Sequence, residues 1–189
     1  MQTLVANVWA AIRTLWTKKP HLTVAIDGRC AAGKTTLAAQ LMEKTGCNVL
    51  HMDYFFLRPE QRTPERLHTP GGNVDYERFL QEALLPLREG AAFSYRPYDC
   101  HKQALTDPVF VTSQPINIVE GSYSCHPALW KHYDLTIFLT VDPDEQLRRI
   151  LARNGDACAI RFQEKWIPLE ERYFQEWDIP ARCDLCYKT

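Results

Sequence analysis

An α/β fold, a parallel sheet wrapped by helices, is what the sequence predicts, and three observations predict it. Short apolar runs recur along the chain, and helical patterns separate most of them. Acidic residues recur where these runs end, the end at which open α/β sheets bind ligands. One run leads into Gly28-Arg29-Cys30-Ala31-Ala32-Gly33-Lys34-Thr35, which fits G-x-x-x-x-G-K-[ST].

The elements follow in order. Trp9, Ile12 and Trp16 lie at helical spacing, so residues 3–18 read as an amphipathic helix that ends before Pro20 and packs on the sheet. Leu22 to Ile26 is a short, partly β-branched run expected as a buried strand. Residues 36–44 place Leu37, Leu41 and Met42 on one helical face, with Gly46 just beyond the end. Asn48 to Met52 is a second strand run, closing at Asp53, and Ile116 to Val119 a third, closing at Glu120-Gly121. Leu135 to Val141 is a fourth, closing at Asp142, and Asp184 to Tyr187 a fifth. Two stretches break the alternation. Leu57 to Asn73, rich in Pro and Arg with Arg58, Arg62, Arg66, His68 and Gly71-Gly72, reads as a loop or substrate flap. Ala92 to Thr112 reads as a small β insertion around Phe93–Tyr95 and Val109–Val111. Together they form an insertion at about 57–112 in a single domain spanning residues 1–189.

Strand, glycine-rich loop and helix are the context of a phosphate-binding P-loop. Gly28, Arg29, Cys30, Ala31, Ala32, Gly33, Lys34, Thr35 and Thr36 are then the nucleotide-binding residues. Gly28 and Gly33 allow backbone angles a Cβ would forbid and let N–H groups approach phosphate. Those N–H groups and the following helix make an anion cradle. Lys34 carries a point charge to the β- and γ-phosphates, and Thr35 offers its hydroxyl to Mg²⁺.

Bulk properties exclude some classes. A net charge of −1 offers no electrostatic case for nucleic acid or an anionic membrane. No apolar run approaches the roughly 20 residues of a membrane span. Val5 to Trp16 is interrupted by Asn7 and Arg13, unlike a signal peptide, so a cytoplasmic location is expected. The seven cysteines are scattered, and Cys183-Asp-Leu-Cys186 lacks a second pair of zinc ligands, so reduced structural thiols are expected. Cys30 lies inside the P-loop, where oxidation would block nucleotide binding. His51, His68, His126 and His132 have no partner legible in the sequence.

The chain has no Asn-Lys-x-Asp guanine-reading motif, which argues against a GTPase. A small-molecule phosphotransferase needs a carboxylate to take the acceptor's proton and arginines that close over the phosphates. Asp53, at the end of the second run, is the candidate base; the alternative is a solvated acid or helix cap. Glu120 could hold Mg²⁺, or bond backbone N–H groups as a structural acid. Arg148, Arg149, Arg153 and Arg161 fall in a candidate lid at about 145–163. Arg149 and Arg153 share a helix face, and a solvated face is the alternative.

With these residues in place, the chain resembles the uridine kinase and phosphoribulokinase group of P-loop kinases, and small bacterial uridine kinase-like proteins in particular. The matching stretches are AIDGRCAAGKTTLA, HMDYFFL, NVDYERF, YRPYDCH, IVEGSYS, DPDEQLRRILAR and DIPARCDLCY, spanning nearly all of the chain from residue 22. The resemblance implies a five-stranded parallel sheet with the P-loop on its central strand. It also implies ATP and Mg²⁺ as cosubstrates and transfer of the γ-phosphoryl group to a primary hydroxyl. Asp53 would be the catalytic base, Lys34 and Thr35 phosphate and Mg²⁺ ligands, Glu120 the acid after the third strand, and Arg149 and Arg153 the lid arginines. Asp75 falls near the sugar-hydroxyl acid, with a helix N-terminal acid as the alternative. Tyr98 and His101 fall near residues that contact a pyrimidine, although they are closer together in sequence than in uridine kinases. The expected partner is a small hydroxyl acceptor, a nucleoside first, and homo-oligomerisation is compatible with the sequence. Other acceptors on the same fold (pantothenate, nicotinamide riboside or a sugar) and a non-catalytic nucleotide-binding regulator are the alternatives.

Overall fold

The computed structural model describes residues 2–189. Helix α1 (Gln2–Trp16) leads into β1 (Leu22–Gly28), the phosphate loop and α2 (Lys34–Thr45). β2 (Asn48–His51) passes straight into a 3₁₀ turn, Met52–Phe55. The segment after it is not an open loop. It holds a 3₁₀ turn at Pro59–Gln61 and α3 (Pro64–His68), which Thr63 caps through its side chain with Pro64 at the first helical position. α4 (Tyr76–Phe79) then continues through a π turn, Leu80–Leu84, into α5 (Leu85–Arg88).

The β insertion is two nested antiparallel hairpins. β3 (Phe93–Tyr95) pairs with β6 (Val109–Val111), and inside them β4 (Tyr98–Asp99) pairs with β5 (Ala104–Leu105). The chain returns to the main sheet with β7 (Ile116–Glu120), α6 (Pro127–Trp130) and β8 (Leu135–Thr140). The predicted lid is α7 (Pro143–Asn154) and α8 (Asp156–Arg161), separated by Gly155. A π turn (Phe162–Trp166), α9 (Ile167–Glu176), α10 (Ile179–Arg182) and β9 (Leu185–Lys188) complete it.

The main sheet has the order β2-β7-β1-β8-β9, with every neighbouring pair parallel, so β1 is central as the resemblance implied. All seven residues of β1 are buried, the reason its sequence is a continuous apolar run rather than an alternating one. Successive side chains still point to opposite faces. Val24 and Ile26 join Val8, Ile12, Leu37 and Leu41 under α1 and α2, whereas Ala25 joins Phe55, Phe79, Tyr173 and Phe174 on the other face. The register aligns Ile26 of β1, Glu120 of β7 and His51 of β2 in one row, so β7 and β2 end together while β1 runs two residues further, to Gly28. α1 does cover the sheet, but it buries Val8 and Ile12. Trp16 remains 41% exposed and lies against Trp9 at the flank. Among the described residues no helix is long and apolar enough to cross a membrane.

Gly28 has a role the motif alone does not reveal. Its φ is +139°, and a Cβ there would stand 2.0 Å from the Leu139 carbonyl oxygen of β8. The residue is glycine because the neighbouring strand presses on it, as well as for access to phosphate. Gly28→Ala is expected to destabilise the protein by about 3 kcal/mol or more, since backbone must move on both sides. Chemical denaturation checks this; a loss below about 1 kcal/mol would contradict it.

Candidate active site

The loop between β1 and α2 turns through two left-handed residues, Ala31 at φ 59° and Gly33 at φ 88°. Gly33 is the N-cap of α2 and has no side chain with which to cap it. Among the described residues, the amides of Gly33, Lys34, Thr35 and Thr36 donate to no protein acceptor. Four unmet donors at a helix N-terminus are arranged to receive an anion. Lys34 Nζ donates to the carbonyls of Gly28 (2.7 Å) and Arg29 (2.8 Å) and to Ser122 Oγ (3.3 Å). The ammonium is thus held at the loop's edge, and its side chain is buried.

The acidic half of the site comes from β2 and β7. Thr35 Oγ1 donates to the Glu120 carboxylate at 3.1–3.2 Å, and His51 Nδ1 bonds the same carboxylate. His51 therefore has a partner the sequence did not disclose. The bond to Glu120 raises its pKa, burial opposes the rise, and the charges of Glu120 and Asp53 add to it. Thr35 and Glu120 supply two hard oxygens, and a Mg²⁺ ion there would complete its shell with water and phosphate oxygens. Among the described residues no group of three or more His, Cys, Asp or Glu is arranged to hold a metal, so a metal here depends on phosphate.

Asp53 stands in the 3₁₀ turn beside this pair. A Cβ on Gly121 would lie 3.0 Å from Met52 Cβ and 3.5 Å from Asp53 Oδ1, so the glycine lets the turn close on the end of β7. The Asp53 side chain reaches solvent, yet protein crowds it on most sides. That desolvation raises its pKa; Lys34 opposes the rise, Glu120 and Glu170 add to it, and His51 opposes it.

Asp27 and helix α9, neither singled out from the sequence, hold this assembly in place. Asp27 is fully buried and accepts from the amides of Gly28 (2.6 Å), Tyr123 (3.1 Å) and Cys125 (2.8 Å) and from Tyr173 Oη (2.9 Å). Burial pushes its pKa up to about 6, although those donors and Lys34 favour the charge. On α9, Glu170 accepts from the Cys30 amide (3.0 Å) and from Ser122 Oγ (2.6 Å), and Glu171 forms a bidentate pair with Arg29 (2.7 and 3.0 Å).

The lid arginines differ from each other. Arg149 is half-buried and bonds Glu145, the Ala31 carbonyl (3.1 Å) and Thr189 Oγ1, which places it on the phosphate loop. Arg153 is exposed and bonds only Asn154 Oδ1. The lid base is anchored by Gln146, which donates to the Cys30 carbonyl and sulfur, with Ile150 and Ala159 packed on Cys30. The Cys30 thiol is consequently buried, and that burial pushes its pKa up to about 12.

Of the residues assigned to the acceptor by resemblance, Asp75 is buried, caps α4 through the Arg78 amide (3.1 Å) and accepts from Gln61 Nε2 (2.8 Å). Its own amide donates to Phe55, which ties it to the Asp53 turn. Tyr98 is buried with its hydroxyl 3.4 Å from Arg62 Nη2. The His101 side chain is exposed on the turn between β4 and β5, and its amide donates to Asp99. His126, also unpartnered in the sequence, stacks on Tyr76 with ring centroids 3.9 Å apart, and burial lowers its pKa to about 4. Cys125 and Cys183 are brought together at 4.0 Å, and all seven cysteines are free thiols.

No family model matches the chain. Among solved structures, it is similar to a protein from Bacillus stearothermophilus described as a candidate uridine kinase. The identity is 18% and the TM-score 0.65, covering 96% of this chain and 99% of that one. It is similar to a candidate fructose transport system kinase from Silicibacter sp. TM1040, at 22% identity and TM-score 0.69, covering 97% and 98%. A third, from Saccharomyces cerevisiae, is described as a candidate P-loop containing kinase with a circular permutation; its identity is 11% and its TM-score 0.70, covering 98% and 99%. At these identities the likeness establishes the fold alone: a five-stranded parallel sheet flanked by helices, shared with these three structures.

Asp27→Asn would turn an amide N–H₂ toward donors that now meet a carboxylate. A loss of about 3 kcal/mol in folding stability is expected. Thermal unfolding of the variant checks this, and an unchanged melting temperature would contradict it.

Proposed function

We propose that the protein is an ATP-dependent phosphotransferase that moves the γ-phosphoryl group to a primary hydroxyl of a small molecule. A pyrimidine nucleoside, uridine or cytidine, is the favoured acceptor. The observation that carries the reading is the position of Asp53, a carboxylate open to solvent beside Gly121 and next to Glu120. It adjoins a loop whose unmet amides and Lys34 can grip a triphosphate. An anion grip on one side and a base on the other are the two parts that phosphoryl transfer to a hydroxyl needs.

In this reading Asp53 takes the acceptor's hydroxyl proton as the hydroxyl oxygen bonds to the γ-phosphorus. The bond from that phosphorus to the β–γ bridging oxygen breaks, and ADP leaves. Bound ATP supplies the phosphoryl group, and Mg²⁺ on Thr35 and Glu120 supplies charge neutralisation at its oxygens. Lys34 and the free amides balance charge on the phosphates, Arg149 does so from the loop's far side, and Arg153 joins when the lid closes. Asp75, Tyr98 and His101 are assigned to the acceptor by the family resemblance. The raised pKa of Asp53 brings the base closer to neutral pH, where proton transfer is most effective. The likeness to a protein described as a fructose transport system kinase favours a sugar as the second acceptor class.

The test is coupled ADP release with ATP and Mg²⁺ across uridine, cytidine, fructose and pantothenate. Turnover with a pyrimidine nucleoside is expected. Turnover with fructose alone would move the assignment to a sugar, and no acceptor-dependent turnover would contradict the reading. Asp53→Asn should cut kcat by about 10²–10⁴-fold while ATP affinity stays nearly unchanged. The base works only when ionised, so activity should fall as pH drops through its raised pKa. The acid limb of kcat/KM should therefore lie above the ordinary aspartate value of 3.8. A limb at or below that value would exclude Asp53 as the titrating base.

A further inference from the structure

Glu170 is buried, sits on a helix that follows the predicted lid, and points one oxygen at the Cys30 amide of the phosphate loop and the other at Ser122 in the turn after β7. A carboxylate has acceptors only. In the 2.6 Å contact between Ser122 Oγ and Glu170 Oε1, the proton therefore belongs to the serine. Once that hydroxyl hydrogen is committed, the Ser122 lone pairs are free for Lys34 Nζ, 3.3 Å away. With the carbonyls of Gly28 and Arg29, Ser122 makes three acceptors that hold the ammonium at the loop's edge, and one of these bonds must give way to a phosphate oxygen when a triphosphate binds. The other Glu170 oxygen accepts from the Cys30 amide and so fixes the loop itself.

We infer that Glu170 is a positioning residue of the phosphate site: through Ser122 it aims Lys34, and through the Cys30 amide it holds the loop against α9. The inference rests on the proposed reading of the loop as a triphosphate site. Glutamine at this position can still accept from Cys30, but its N–H₂ would donate to Ser122, and the hydroxyl hydrogen would turn from residue 170 toward the Gly28 carbonyl, 3.3 Å from Ser122 Oγ, on the side where Lys34 now donates. A purely packing role for Glu170 would be preserved by that nearly isosteric change, whereas the aiming role would not.

The experiment is calorimetric titration of MgATP and of AMP into the wild type, Glu170→Gln, Ser122→Ala, Lys34→Ala and the Glu170→Gln/Lys34→Ala double variant. Lys34 acts on the β- and γ-phosphates, which AMP lacks. Glu170→Gln should weaken MgATP about tenfold and leave AMP within about twofold, the loss of one charge-assisted contact. Ser122→Ala should reproduce that pattern, and adding Glu170→Gln to Lys34→Ala should cost little more. Equal losses for MgATP and AMP, or a full tenfold loss in the Lys34→Ala background, would overturn the inference. Melting temperatures of the single variants tell a misfolded protein from a misaimed lysine. If Glu170→Gln does not fold, Ser122→Ala with the same nucleotide readout decides. A wild type that binds no MgATP removes the functional reading and the inference with it. A wild type that binds, with a Glu170→Gln that binds equally well, overturns the inference alone.

Discussion

The buried carboxylate of Asp27 is the junction on which the site depends. It lies at the end of the central strand with the first glycine of the phosphate loop bonded to it, and it gathers three otherwise separate pieces. The amides of Tyr123 and Cys125 fix the turn after β7, and so the position of Ser122 between them. The Tyr173 hydroxyl fixes α9, and with it Glu170 and Glu171. A buried charge is tolerable only when its hydrogen-bonding capacity is met, and here four donors meet it. Removing any one of these elements would leave either the carboxylate or its donors unsatisfied.

From that junction the division of labour follows. The sheet register ends β7 and β2 in the row of Ile26, two residues before the end of β1, which sets Glu120 and His51 beside the loop. Gly121 lets the Asp53 turn come in close, and crowding by neighbouring protein gives this acid its raised pKa. The base of α7, in the predicted lid, is tied down through Gln146 and Cys30, while Arg153 at its far end stays in solvent. Closure of such a lid would move its outer end over a fixed base.

The legible part of the sequence was the local part. Gly28 to Thr35 needs no tertiary information to be recognised, and the apolar runs of the five strands differ from the structure by a residue or two at their ends. Asp53 and Glu120 stood out because each closes such a run. What stayed hidden depends on contacts between distant residues. Glu170 meets Cys30 across 140 positions, and Asp27 meets Cys125 across 98. Glu170 looks like any acid on an amphipathic helix, and Asp27 is one polar residue at the end of an apolar run. The cause of Gly28 was hidden for the same reason, since Leu139 presses on it from another strand. The short 3₁₀ turn and helix α3 in the Pro- and Arg-rich segment after Leu57, read as a loop or substrate flap, stayed hidden because they are too short to show helical periodicity.

The central claim is that this site moves a phosphoryl group to an acceptor hydroxyl and not to water. Phosphorus-31 NMR of the protein with ATP, Mg²⁺ and uridine reads that difference directly. The account predicts a new phosphomonoester resonance that grows in step with ADP. A spectrum in which only inorganic phosphate grows, with uridine and with every other acceptor offered, would contradict it.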